Sequence, residues 1–111
     1  MTTPKIITGT DRQLTATWKI GDTVTPISSS GVVRFRLVSR DKATTYTAIL
    51  TANKDHPDAD WANGKIILIF LAAETVDITV QGLAEVELQV DDGGEKLGTF
   101  FSVNIVKGNI G

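Results

Sequence analysis

The sequence predicts an all-β fold, an antiparallel β-sandwich of short strands. Three observations carry that prediction. Residues 82–106 alternate apolar and polar side chains on either side of Asp91-Asp92-Gly93-Gly94, the pattern of a hairpin with one face buried. Residues 13–20 and 32–38 show the same period of two. Clusters of glycine, serine and aspartate separate these runs at short, regular intervals, which gives the sandwich an immunoglobulin-like appearance.

Taken in order, residues 1–10 read as an N-terminal arm, because Pro4 lacks a donor and Thr8-Gly9-Thr10 has turn character. Ile6 and Ile7 could pair at a sheet edge, but as apolar residues in an otherwise exposed terminus they are candidate interface residues, and removing residues 1–9 is expected to weaken association without unfolding the domain. Residues 11–107 read as a single β-sandwich domain and 108–111 as a tail. In residues 13–20, Leu14, Ala16, Trp18 and Ile20 share the inner face. Pro26 makes residues 23–27 an edge strand or a loop. In residues 32–38, Val33, Phe35 and Leu37 point inward and Arg34 and Arg36 outward. Residues 44–52 are threonine-rich and complete a second hairpin, with Tyr46, Ala48 and Leu50 on one parity.

Residues 53–64, NKDHPDADWANG, form the longest polar segment. Residues 65–71 are apolar at both parities, as in a strand covered on both faces. Ile67 and Ile69 form the second face and are therefore further interface candidates. Residues 72–76 suit one helical turn. In the closing hairpin, Ala84, Val86, Leu88 and Val90 face Leu97, Thr99, Phe101, Val103 and Ile105. Truncating Phe101 is expected to cost about 3–5 kcal/mol if it lies in the core.

Composition narrows the function. The chain has 111 residues, 41% hydrophobic and 22% charged, which fits an ordinary globular domain rather than a disordered one. It has no cysteine, which excludes a disulfide scaffold and a cysteine zinc site. The net charge of -2 argues against nucleic acid as a partner, and the Arg34/Arg36 pair reads as a solvated sheet face. No apolar run approaches the roughly 20 residues that span a bilayer, and the N-terminus has no signal-like apolar region, so a membrane role and secretion are not expected.

Chemistry is sparse. His56 is the single histidine, no Gly-x-Ser-x-Gly elbow is present, and there is no cysteine nucleophile, so the chain is not expected to be an enzyme or to carry a cofactor. Asp55, His56, Asp58 and Asp60 are the best ligand-like set, because histidine and carboxylates bind zinc or calcium. They lack the glycine and distal glutamate of an EF-hand, and a solvated acidic loop is the plainer reading. Trp61 either plugs the end of the sandwich or stacks on a sugar. The second alternative makes the chain a carbohydrate-binding module using Trp61, Tyr46 and the 53–64 loop.

The second half also carries a family pattern. It runs from Gly64-Lys65-Ile66-Ile67-Leu68 through Leu71-Ala72-Ala73-Glu74-Thr75 and a Gly82-led strand with Glu87-Leu88-Gln89-Val90. A glycine-rich hairpin and Phe101-Ser102-Val103-Asn104-Ile105-Val106 follow. Gly9-Thr10-Asp11 and Trp18-Lys19-Ile20-Gly21-Asp22 add to it. Over residues 9–106 the chain resembles the immunoglobulin-like β-sandwich domains of tailed-bacteriophage structural proteins, nearest to the N-terminal domain of baseplate upper proteins and related tail or head fibres. The resemblance implies a virion protein made in the host bacterial cytoplasm. It also implies a docking or assembly module whose partners are other virion proteins and copies of itself, commonly as a trimer. It implies no catalytic residue.

Overall fold

The computed structural model describes residues 3–108. Its elements in chain order are β1 (Lys5–Ile7), β2 (Arg12–Thr17), β3 (Lys19–Ile20), β4 (Thr23–Val24), β5 (Val32–Ser39), β6 (Leu50–Thr51), β7 (Lys65–Phe70), α1 (Ala72–Thr75), β8 (Gly82–Asp92) and β9 (Glu95–Val106). The protein is all-β. A five-stranded sheet has the order β1-β9-β8-β5-β6, while β2 pairs with β7 and β3 with β4.

The closing hairpin is the longest ladder, with its register unbroken from Gly82↔Ile105 to Asp92↔Glu95. Its loop is Gly93-Gly94, with φ of 65° and 84°. A two-residue loop with both φ values positive matches the right-handed twist of the strands, and glycine adopts it without strain. Ala84, Val86, Leu88 and Val90 are buried as their parity predicts, and they pair with Ser39, Leu37, Phe35 and Val33 of β5. The β2-β7 ladder packs across this face. Leu14, Ile66, Leu68 and Phe70 join the same core, and the Phe35 and Phe70 rings meet edge to face at 5.1 Å.

Four expectations change. Residues 13–20 are not one strand. At Trp18 the chain exchanges partners: Trp18 N donates to Gly64 O at 2.7 Å, and Thr25 N donates to Trp18 O at 3.0 Å. Beyond that point β3 pairs with β4, and Ile20 turns outward, 51% exposed. Gly64 makes the exchange possible. Its φ is 72°, and a Cβ there would lie 3.0 Å from Thr25 O and 3.1 Å from Trp18 O.

Residues 44–52 do not form a continuous strand either. A single bridge joins Thr45 to Val38, and β6 then pairs with Arg34 and Phe35 in a shifted register. Between them Thr47 Oγ1 accepts the Leu37 N–H at 3.0 Å, so a side chain takes the place of a ladder carbonyl. The excursion leaves Ala48 and Ile49 exposed.

Residues 1–10 are not simply an arm. β1 pairs in parallel with β9, and Ile6, opposite Ile105, is fully buried. Thr8 and Gly9 are also held: Thr8 N donates to Val106 O, and Gly9 N donates to the buried Thr75 Oγ1. Of the predicted tail, Gly108 N donates to Thr8 Oγ1, while residues 109–111 lie outside the described residues, as do residues 1 and 2. Finally, Phe101 is only half-buried, so the full cost of truncating a core phenylalanine does not apply to it.

The helical turn over residues 72–76 forms as expected. Glu74 Oε1 accepts from Leu71 N at 2.7 Å and Asp11 Oδ1 from Ala72 N at 2.8 Å, so two carboxylates satisfy its first amides. Among the described residues no helix is long and apolar enough to cross a membrane.

Candidate functional site

The ligand-like residues of the 53–64 loop serve the loop itself. Asn53 Oδ1 accepts from Asp55 N, and His56 Nδ1 accepts from Asp58 N, both at 3.0 Å. The Asp58 carboxylate accepts from Gln13 Nε2, and that of Asp60 from Asn63 Nδ2. All but the Gln13 contact are local turn bonds of the kind short polar side chains make. Among the described residues no group of three His, Asp or Glu side chains stands where it could hold a metal ion, so Asp55, His56, Asp58 and Asp60 do not converge.

Trp61 is a core residue. It opens the 3-10 turn Trp61–Asn63 and is 7% exposed, and its carbonyl accepts from Ile27 N at 2.8 Å. Its ring face is therefore unavailable for stacking on a sugar. Its buried Nε1–H has no partner among the described residues. Because an unpaired buried donor already costs about 1–3 kcal/mol, Trp61→Phe is expected to change stability by only about 1 kcal/mol. Trp61→Ala, which also empties the site, should cost about 3–5 kcal/mol in urea unfolding.

The interface candidates also lie largely inside. Ile6 is 0% and Ile67 2% exposed, while Ile7 and Ile69 are half-buried. Ile67 and Ile69 stand opposite Thr15 and Gln13 of β2. Gln13, on that face, reaches Asp58, and Ile67 is only 2% exposed within the single chain. The cover that the apolar pattern demands comes from within the molecule.

The side chains left for a partner are elsewhere. Ile20, Val24 and Leu97 stand exposed at the hairpin-tip end of the sheet. Leu71, Val76, Val80 and Leu83 stand exposed at the other end, where Val76 and Val80 flank Thr8 and Lys107. The outer face of the main sheet carries charges, among them two ion pairs, and the 60% exposed Ile49. Arg36 bonds Glu87, Lys42 approaches Glu85 at 3.7 Å, and the Lys42 ammonium sits 4.8 Å above the Phe100 ring. Of the Arg34/Arg36 pair, Arg36 is thus matched by Glu87, while Arg34 stands opposite Gln89 and Thr51.

Between β9 and β2 lies an open groove of about 380 Å³, lined in part by Ala16, Trp18, Leu88, Thr99 and Phe101. Parity places Leu97, Thr99 and Phe101 on the inner side of β9, and that much was readable. What periodicity does not show is that β2 stops short of covering them.

Two aspartates hold the ends of the sheet. Asp92 accepts from Ser28 N at 2.9 Å and Ser28 Oγ at 2.5 Å, tying the 28–31 turn to the hairpin. Asp41 accepts from Ser39 Oγ and Ala43 N. These bonds, the serine hydroxyl first in each case, hold both carboxyls below the usual value of 3.8. A depressed folded pKa makes the contribution present above the ordinary carboxylate range and lost as pH falls through the lowered value. Stability is therefore expected to fall on acidification below that range. Asp92→Asn should flatten the acid limb of a plot of unfolding midpoint against pH. An unchanged limb would show that the Ser28 tether is not formed in solution.

No protein-family model matches the chain, and no curated protein matches it.

Proposed function

We propose that this chain is a non-enzymatic structural module of a tailed-bacteriophage virion, an immunoglobulin-like β-sandwich that acts by docking on neighbouring virion proteins and on copies of itself. The observation that carries the reading is the distribution of exposed apolar side chains. Ile20, Leu71, Val76 and Leu83 are each more than half exposed and stand at the two ends of the sheet, while Ile49, 60% exposed, stands beside Arg34, Arg36, Glu87 and Gln89 on its outer face. Ends bearing apolar side chains suit a module stacked between neighbours, where about 800 Å² buried per partner makes a stable contact. The family resemblance of residues 9–106 supplies the virion setting. The carbohydrate-binding alternative loses its main support with the ring of Trp61 in the core.

The test is direct. Particles of the phage encoding this chain, purified by density gradient, should contain it in fixed proportion to the major structural proteins by quantitative mass spectrometry. Its absence from purified particles would refute the reading.

A further inference from the structure

Asn63 is the one asparagine of the chain that a glycine follows. Such a pair carries an intrinsic reaction. The backbone nitrogen of the second residue attacks the asparagine Cγ and closes a five-membered imide. A side chain on the second residue obstructs the attack, and Gly64 has none. The bond that forms is Gly64 N to Asn63 Cγ, and the bond that breaks is Asn63 Cγ to Nδ2. The Gly64 amide proton leaves with Nδ2 as ammonia. Water then opens the ring at either carbonyl. One opening gives aspartate, and the other gives isoaspartate, in which the main chain runs through Cγ.

The fold holds each reacting atom off this path. Asn63 ends the 3-10 turn Trp61–Asn63 and is exposed to water. The ring closes only when Gly64 N eclipses Asn63 Cβ about the Cα–C bond. The ψ of about −20 to −30° in a 3-10 turn keeps the two roughly a quarter turn apart. Hydrogen bonds fix that angle on both sides. Asn63 N donates to Asp60 O, and Gly64 N, the nucleophile, donates to Trp61 O, both at 3.0 Å. Gly64 is buried, and its carbonyl accepts from Trp18 N at 2.7 Å. The leaving amide is clasped as well, because Asn63 Nδ2 donates to Asp60 Oδ2 at 2.7 Å. To reach the imide the turn must give up the Gly64 bonds, and with them the point where Trp18 exchanges partners.

We propose that Asn63-Gly64 is a spontaneous deamidation site that the native fold holds closed, so that the chain deamidates there only while the turn is open. The inference goes beyond the assembly reading and does not rest on it. The products do not fit the native turn. Isoaspartate puts one more atom into the main chain directly before Gly64, whose φ of 72° and close approach to Thr25 O and Trp18 O leave no slack. Aspartate replaces the Nδ2 donor by a second carboxylate facing that of Asp60, and like charges at that distance repel. An opening that reaches the imide therefore removes the chain from the native pool.

Trypsin cuts after Lys54 and Lys65 and releases residues 55–65, in which Asn63 is the single asparagine. Chromatography with mass spectrometry separates the asparagine, aspartate and isoaspartate forms of that peptide. The intact chain is incubated at mildly alkaline pH with and without urea before digestion. In urea the site is expected to convert to both acids at the rate of a synthetic peptide of residues 55–65. Without urea it should convert at least roughly tenfold more slowly, because it reacts only during openings of the turn. Asp60→Ala removes the clasp at an exposed position. It should raise the native rate several-fold, leave the urea rate unchanged and keep the circular dichroism spectrum of the parent. If that variant does not fold, the ratio of native to urea rates in the parent decides alone. A native rate within about twofold of the urea rate, no conversion in urea, or a native rate unmoved in folded Asp60→Ala would overturn the proposal.

Discussion

Phe70→Ala is expected to destabilise the protein by about 3–5 kcal/mol, the cost of emptying a buried aromatic site. Phe70 is fully buried at the end of β7, and its ring meets that of Phe35 at 84°. Phe35 belongs to the five-stranded sheet and Phe70 to the β2-β7 ladder, so the pair joins the two sheets. The loss has two parts, the transfer and cavity terms and an edge-to-face contact worth about 0.5–1.5 kcal/mol. A double-mutant cycle with Phe35→Leu and Phe70→Leu separates them: the coupling should fall within that aromatic range. Phe100→Ala, at an exposed outer position, should cost under about 1 kcal/mol in the unassociated chain. Equal losses at positions 70 and 100 in urea unfolding would mean that the ladder does not pack on the sheet here.

The same pair shows what the sequence makes readable. Phe35 lies in a run where Val33, Phe35 and Leu37 alternate with Arg34 and Arg36, and a period of two in a strand paired on both sides has one physical solution. The 82–106 hairpin is readable for the same reason, since its alternation and its glycine loop agree. Features that depend on distant partners were not. β1 is three residues long, too short to show a period, and its partner lies nearly a hundred residues away. Thr47 bonds Leu37 N as a side chain, which propensity reads as ordinary strand. The double apolar parity of β7 indicated cover on both faces, and Ile66 and Ile67 are both buried, but it could not show that the cover comes from the chain itself. The candidate site suffered most. Ligand-like side chains in one loop share sequence proximity, whereas a site needs side chains that converge in space, and among the described residues these do not.

Because β1 completes the sheet, Ile6→Ala is expected to cost about 2–5 kcal/mol, and removal of residues 1–8 to leave little folded protein at room temperature. Ile6 has no exposed surface and lies opposite Ile105, so truncating it opens a cavity between two strands. Deleting the segment removes more. Asn104 N loses Pro4 O, Val106 O loses Thr8 N, Gly108 N loses Thr8 Oγ1, and Arg12 Nε loses Lys5 O. The buried side chains of Val103 and Ile105 would also come closer to water, and each fully buried aliphatic side chain is worth about 1.5–3 kcal/mol. Set against the roughly 5–15 kcal/mol by which domains of this size are stable, these losses consume most of the margin. An assembly arm behaves oppositely, since its removal weakens association and leaves the thermal midpoint where it was. A melt of the truncated chain followed by circular dichroism decides between them. A transition at the full-length temperature would make residues 1–8 an arm after all, and an absent or strongly lowered one makes them part of the sheet.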